Sequence, residues 1–139
     1  MQSKKVETGY LLRIDRGEEI MAAITGFIAA ENIQAGVISG IGALTDVELG
    51  YFNWVKHEYQ KQTFTKIYEL LSLTGNISYI DDKPMVHAHC ILGQSDYGLI
   101  GGHLFGGVVA VTGEVFIQVF KERIVRAMNP ELKLNLLRF

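Results

Sequence analysis

The chain has 139 residues, of which 48% are hydrophobic and 20% are charged. This length and composition predict one globular domain spanning residues 1–139 and exclude a disordered chain. The 13 basic and 15 acidic residues give a net charge of −2. That balance disfavours a protein that holds nucleic acid through a basic surface.

A cytoplasmic location is expected for this protein. The first ten residues lack the apolar core of a signal peptide, and no apolar stretch is long enough to cross a bilayer. The single cysteine, Cys90, cannot form an internal disulfide, which fits a reducing compartment. We expect Cys90 to be a small buried apolar side chain.

The first elements predicted along the chain are a strand at 8–14 and a helix at 18–32. Asp15 and Glu18 have the spacing of a capping box, with Asp15 as the N-cap. Gly26 is expected to pack closely against a sheet, because apolar residues flank it in the helix. The apolar face that predicts this packing consists of Ile20, Ile24, Phe27 and Ile28.

Most of the remaining chain is predicted to be strand, because its apolar residues alternate or form short runs. The predicted strands are 35–41, 46–54, two strands within 64–80 separated at 74–76, 85–92, 99–104, 108–120 with a bulge at Gly113, and an edge strand around Leu132, Leu134 and Leu136. Connections are expected at 40–43, 56–62, 81–84 and 93–98. One helix cannot cover both apolar faces of such strands, so we expect a homo-oligomer.

Three of the four histidines lie close together in sequence, and His57 lies apart from them. His87 and His89 are two residues apart in a predicted strand, so their imidazoles share one face, with Cα atoms about 6.5–7 Å apart. The predicted hairpin would return His103 beside them. Three neutral imidazoles and an open position are typical of a catalytic zinc site. The alternative is that all three are hydrogen-bonded structural residues.

Five short segments together resemble the PPC domain, the plants-and-prokaryotes-conserved domain that also occurs next to AT-hooks in plant nuclear proteins. The similarity extends over residues 4–121. The segments are SGIGA at 39–43, YELLSLTG at 68–75, HAH at 87–89, GGHL at 101–104 and GEV at 113–115. A more distant similarity, in fold and histidine pattern, is to α-acetolactate decarboxylase.

The resemblance implies an α+β fold, in which one principal helix packs on a mainly antiparallel sheet, and assembly as a trimer. It implies that His87, His89 and His103 hold a divalent metal, for which zinc is the best match. Glu69 and Glu114 match family positions and are the candidate catalytic acid or base. The AT-hook that plant members use to reach DNA has no counterpart in this chain.

Three functions follow from these expectations. The first is a metal-dependent enzyme, lyase-like or hydrolase-like, that acts on a small oxygenated molecule. The second is a DNA-associated regulatory protein, which the family resemblance suggests and the charge does not favour. The third is an oligomer in which the metal stabilises the fold or binds an effector. We expect a metal-binding PPC-type trimer whose activity the sequence does not specify.

Overall fold

A computed structural model describes all 139 residues, Met1–Phe139. The chain forms one nine-stranded, mainly antiparallel sheet and a single helix, which confirms the expected α+β architecture. The helix has 11 residues and falls short of the length needed to span a bilayer. The elements are β1 (Gln2–Val6), β2 (Gly9–Asp15), α1 (Ile20–Ala30), β3 (Gly36–Asn53), β4 (Glu58–Phe64), β5 (Tyr68–Ile80), β6 (Lys83–Gly93), β7 (Leu99–Val119), β8 (Val125–Asn129) and β9 (Leu134–Arg138).

Four strands form a closed circuit of pairings at the centre of the sheet. β3 pairs with β5 and β7, and β6 pairs with the same two strands. β3 and β7 have 18 and 21 residues, so they also extend beyond the circuit to pair with β4 and β2. β8 joins β5 through one parallel pair, Tyr79 with Val125, and carries β9 as a hairpin.

One face of the circuit is buried against α1. The apolar helix face that the sequence predicts belongs to the same core cluster as residues from β2, β3, β5, β6 and β7. The alternation along each strand sends the intervening residues to the opposite surface, which we call the outer face. The exposed apolar side chains of the outer face include Val37, Ile41, Leu71, Ile91, Val111 and Phe116.

Helix α1 begins two residues later than predicted, and Asp15 is not its N-cap. The N-cap is Glu19, whose carboxylate accepts hydrogen bonds from backbone N–H groups of the first helical turn. The predicted contact of Glu18 with the N–H of Asp15 does form, at 2.8 Å, but it closes a turn before the helix. Gly17 donates a backbone hydrogen bond to Val109, and Val109 donates one to Glu18. Together with a bridge between Glu19 and Val108, these bonds hold the segment against β7 and delay the helix.

Three breaks predicted from the sequence are wrong, because the strands continue through them. β3 runs through 40–43, where its pairing shifts register at Gly42. β5 is continuous through 74–76, and β7 joins the predicted strands 99–104 and 108–120 into one.

Gly42 and Gly75 allow neighbouring strands to pack closely, whereas the sequence suggested turns at these two glycines. At Gly42, with φ of +154°, a Cβ atom would lie 2.2 Å from the carbonyl oxygen of Thr112. At Gly75 a Cβ atom would lie 2.5 Å from the carbonyl oxygen of His87. Glycine is the residue that permits such an approach of two backbones.

The predicted polar connection at 56–62 is also wrong. Glu58–Phe64 forms β4, and the turn is limited to 54–57, where His57 has a positive φ of 53°. β4 is a largely exposed edge strand, so its polar sequence needs no apolar face and gives little alternation to detect. β1 and β8 were not predicted for the same reason, since most of their residues are exposed.

Two expectations about single residues are confirmed. Cys90 is 4% exposed, and its burial raises the pKa of the thiol to about 11. The pairing of β7 with β3 shifts register between Gly113 and Val109, which is the predicted bulge. The expected close packing of Gly26 is wrong, because a Cβ atom there would meet nothing within 4 Å.

Gly26 and Gly75 give opposite predictions for replacement by alanine. Gly26→Ala should raise the free energy of unfolding by about 1 kcal/mol, because alanine is the better helix former. Gly75→Ala should lower it by about 1–3 kcal/mol, because the added methyl group forces β5 and β6 apart. Urea unfolding followed by circular dichroism measures both. A Gly75→Ala variant as stable as the wild type would contradict the close approach of the two strands.

Candidate metal centre

The three histidines predicted as metal ligands lie together on the outer face of the sheet. His87 and His89 are on β6, and His103 on β7 pairs directly with His89. The turn at 93–98 connects the two strands, so the predicted hairpin is confirmed. Within this row of paired residues, Thr74 lies opposite His89, and Ser39 lies opposite Thr74. The imidazoles therefore adjoin the exposed surface of β5 and β3.

The ring nitrogens of the three histidines converge on one point. Nε2 of His87 and Nε2 of His89 are 3.2 Å apart, and one nitrogen from each of the three rings lies within 4.8 Å of the others. Zinc–nitrogen bonds of about 2.0–2.1 Å can be reached from this arrangement by small side-chain rotations. Nδ1 of His103 is buried without a hydrogen-bond partner. Coordination through this atom would relieve that cost, so the residues fit a metal.

The electrostatic environment favours the neutral form of His87 and His103. Burial, and then the neighbouring His87 and His89, lower the pKa of His103 to about 4. The pKa of His87 is lowered by burial and by the positive charge of Arg126. A neutral imidazole has the free lone pair that a metal ion requires.

Aromatic residues cover one side of His103. The ring centroids of Tyr59 and Phe105 lie 4.9 Å and 4.5 Å from that of the imidazole. The ammonium group of Lys61 lies 3.6 Å from the centroid of Phe105. These contacts restrict the orientation of the His103 ring and exclude water from one side of it.

Arg126, on β8, also contacts the site. Its Nη2 is 3.3 Å from Nδ1 of His87 and 2.9 Å from Oδ1 of Asn76. Nε donates to Ser78 Oγ, and Nη1 donates to the carbonyl oxygen of Asn135, both at 2.9 Å. No local sequence pattern marks Arg126, because the contact depends on the return of the C-terminal segment to β5.

The structure does not bring Glu69 or Glu114 to the histidines within one chain. Both are exposed on the outer face, where Glu69 pairs with Ala43 and Glu114 pairs with Ile41. Neither carboxylate belongs to the group of ligand atoms that His87, His89 and His103 form.

Comparison with known proteins identifies a family model and several solved structures. The model of the Plants and Prokaryotes Conserved (PCC) domain matches residues 1–121. No curated protein sequence matches the chain significantly. The C-terminal part of the chain from residue 122 onwards, which includes β8 and β9, lies beyond the matched residues.

Three solved structures are similar over nearly the whole chain. A candidate DNA-binding protein from Bacteroides thetaiotaomicron is 36% identical with a TM-score of 0.96, covering 99% of this chain and 96% of its own. A plant- and prokaryote-conserved protein from Pyrococcus horikoshii is 37% identical with a TM-score of 0.88, covering 99% and 95%. A metal-containing protein from Archaeoglobus fulgidus is 34% identical with a TM-score of 0.87, covering 100% of both chains.

The buried histidine predicts how the stability of the metal-free protein depends on pH. His103 takes up its proton near pH 4 in the folded chain and near the ordinary value of 6.5 when unfolded. Between these values the unfolded chain binds more protons, so stability falls as the pH is lowered from 6.5 to 4. Thermal unfolding midpoints of protein stripped with a chelator measure this decline. His103→Asn should flatten this decline, and an equally steep decline in that variant would contradict the assignment to His103.

Proposed function

Because the chain belongs to the Plants and Prokaryotes Conserved domain family, we propose that His87, His89 and His103 hold a divalent metal, with zinc the best match. The observation that carries the proposal is the convergence of three ring nitrogens within 4.8 Å. The lowered pKa values of His87 and His103 support it, because protons compete less with a metal there. The description of the Archaeoglobus relative as metal-containing agrees with it.

The first activity that we propose for this metal centre is enzymatic. A zinc ion with three imidazole ligands keeps a position open, where it can polarise a carbonyl or activate water. The substrate class is a small oxygenated molecule and the reaction lyase-like or hydrolase-like. Glu69 or Glu114 would act as acid or base only if a neighbouring copy of the chain brought its outer face to the histidines.

DNA-associated regulation is the second proposal, and the Bacteroides relative described as a candidate DNA-binding protein favours it. The net charge of −2 gives it little electrostatic support. In a DNA-associated regulator, the metal would stabilise the fold or bind an effector.

Metal content per chain tests the metal centre. Untagged protein loaded with zinc and freed of excess should contain about one ion per chain by plasma mass spectrometry. The variant His87→Ala/His89→Ala should contain almost none, because one remaining imidazole cannot hold the ion. His57→Ala is the matched control and should keep the wild-type content. A wild-type protein that retains no zinc would contradict the proposal.

A homotrimer is proposed as the assembly, with the outer face as the surface that meets neighbouring copies. Its side chains include Ile41, Leu71 and Phe116, each at least 50% exposed, and these line adjoining depressions on one surface. An apolar surface of this kind on a single chain is typical of a subunit interface.

Leu71→Glu should dissociate the assembly, because it places a charge in the centre of that surface. Light scattering coupled to size-exclusion chromatography should then give the mass of one chain, whereas the wild type should give three times that mass. Val55→Glu adds the same charge at a turn residue that is 90% exposed, and should leave the mass unchanged. A wild-type protein that elutes as a single chain would overturn the proposed assembly.

A further inference from the structure

A cavity of about 240 Å³ lies beside the histidines and is open to solvent on one side. His87 and His103 form part of its wall. The opposite wall comes from the C-terminal hairpin, which supplies Arg126, Lys133 and the apolar side chains of Leu134 and Leu136. The cavity contains two cationic side chains and no carboxylate, so its charge favours an anionic occupant.

Arg126 is a cation without a counter-ion. A guanidinium group has five N–H donors. The guanidinium group of Arg126 has four polar neighbours, which are Ser78, Asn76, Asn135 and the His87 ring. All four partners are uncharged in the neutral state of His87, and no carboxylate forms an ion pair with Arg126. Arg126 is partly buried, so there is a cost in holding its unpaired positive charge away from water. An anion in the cavity would offset that cost.

We infer that this cavity binds the carboxylate of a small ligand, held by Arg126, while a second oxygen-bearing group of the same ligand reaches the metal. This inference rests on the proposed metal centre and names the class of molecule that it receives. Nη2 of Arg126 faces Nδ1 of His87, and Nε2 on the other side of that ring faces His89. The imidazole of His87 therefore lies between Arg126 and the proposed metal position. A ligand that reaches both must have a few bonds between its two oxygen-bearing groups.

Short dicarboxylates and keto or hydroxy acids of similar length meet this description. The planar guanidinium suits a carboxylate, and hydrogen bonds to Ser78, Asn76 and Asn135 already fix its orientation. Arg126 and Lys133 lie beyond residue 121, where the family match ends. The two cationic side chains of the cavity thus come from the C-terminal hairpin, beyond the residues that the family model covers.

The experiment compares two probes of equal length on zinc-loaded protein, succinate and its half-amide succinamate. A carboxylate is a much stronger ligand for zinc than a neutral amide oxygen. Each probe therefore places one carboxylate on the metal, and only succinate has a second for Arg126. Calorimetric titration should give at least tenfold tighter binding of succinate than of succinamate. Arg126→Gln should abolish this preference while zinc content stays at the wild-type level, and Arg126→Lys should restore part of it.

Arg123→Gln is the matched control, because it removes one positive charge from the same segment. Arg123 pairs with Asp82 and packs on the ring of Tyr79, and it does not line the cavity. This variant should keep the full preference for succinate. In the wild type, the Nε–H NMR signal of Arg126 should shift with succinate and not with succinamate, which gives a readout that depends on no variant.

The outcomes separate this inference from the proposed metal centre. Wild-type protein that holds no zinc contradicts the metal centre, whatever the probes do. Zinc-loaded protein that binds both probes equally, or neither, overturns the carboxylate site alone. Loss of zinc from Arg126→Gln also overturns it, because Arg126 would then serve to position His87.

Discussion

The candidate centre depends on the register of three antiparallel strands. β6 pairs with β5 through His87 and Asn76, and with β7 through His89 and His103. Because side chains alternate along a strand, a slip of one residue would turn the imidazoles of that strand towards the core. Gly75 helps to fix this register, since the carbonyl of His87 occupies the space that a side chain would need. The sheet itself therefore sets the spacing of the rings.

The sequence predicts this centre because its signals are local. The spacing of His87 and His89 equals the period of a strand, and the residues at 93–98 are typical of a tight turn. The position of Arg126 could not be predicted, because its contact with His87 spans 39 residues. The strand boundaries near Gly42 were misplaced for a different reason, since glycine permits a turn and a close approach of backbones equally well.

The cations around the histidines have two opposing effects on metal binding. Lys61 and Arg126 help to keep His103 unprotonated, which favours coordination. The same charges repel a bare divalent ion, since like charges in a partly desolvated site interact strongly. An anionic ligand that neutralises Arg126 removes part of that repulsion. Metal and anion would then strengthen each other's binding by the same factor, as linkage requires.

The attachment of the C-terminal hairpin has a consequence for its motions. β8 is joined to β5 by one parallel pair, Tyr79 with Val125, and by side chains such as Arg126. A segment held by so few contacts opens at a lower free energy than the core of the sheet. Amide hydrogens at 125–138 should therefore exchange before those of β3 and β7. Occupancy of the cavity would slow that exchange, so the rate at this hairpin would report how much of the protein carries its ligand.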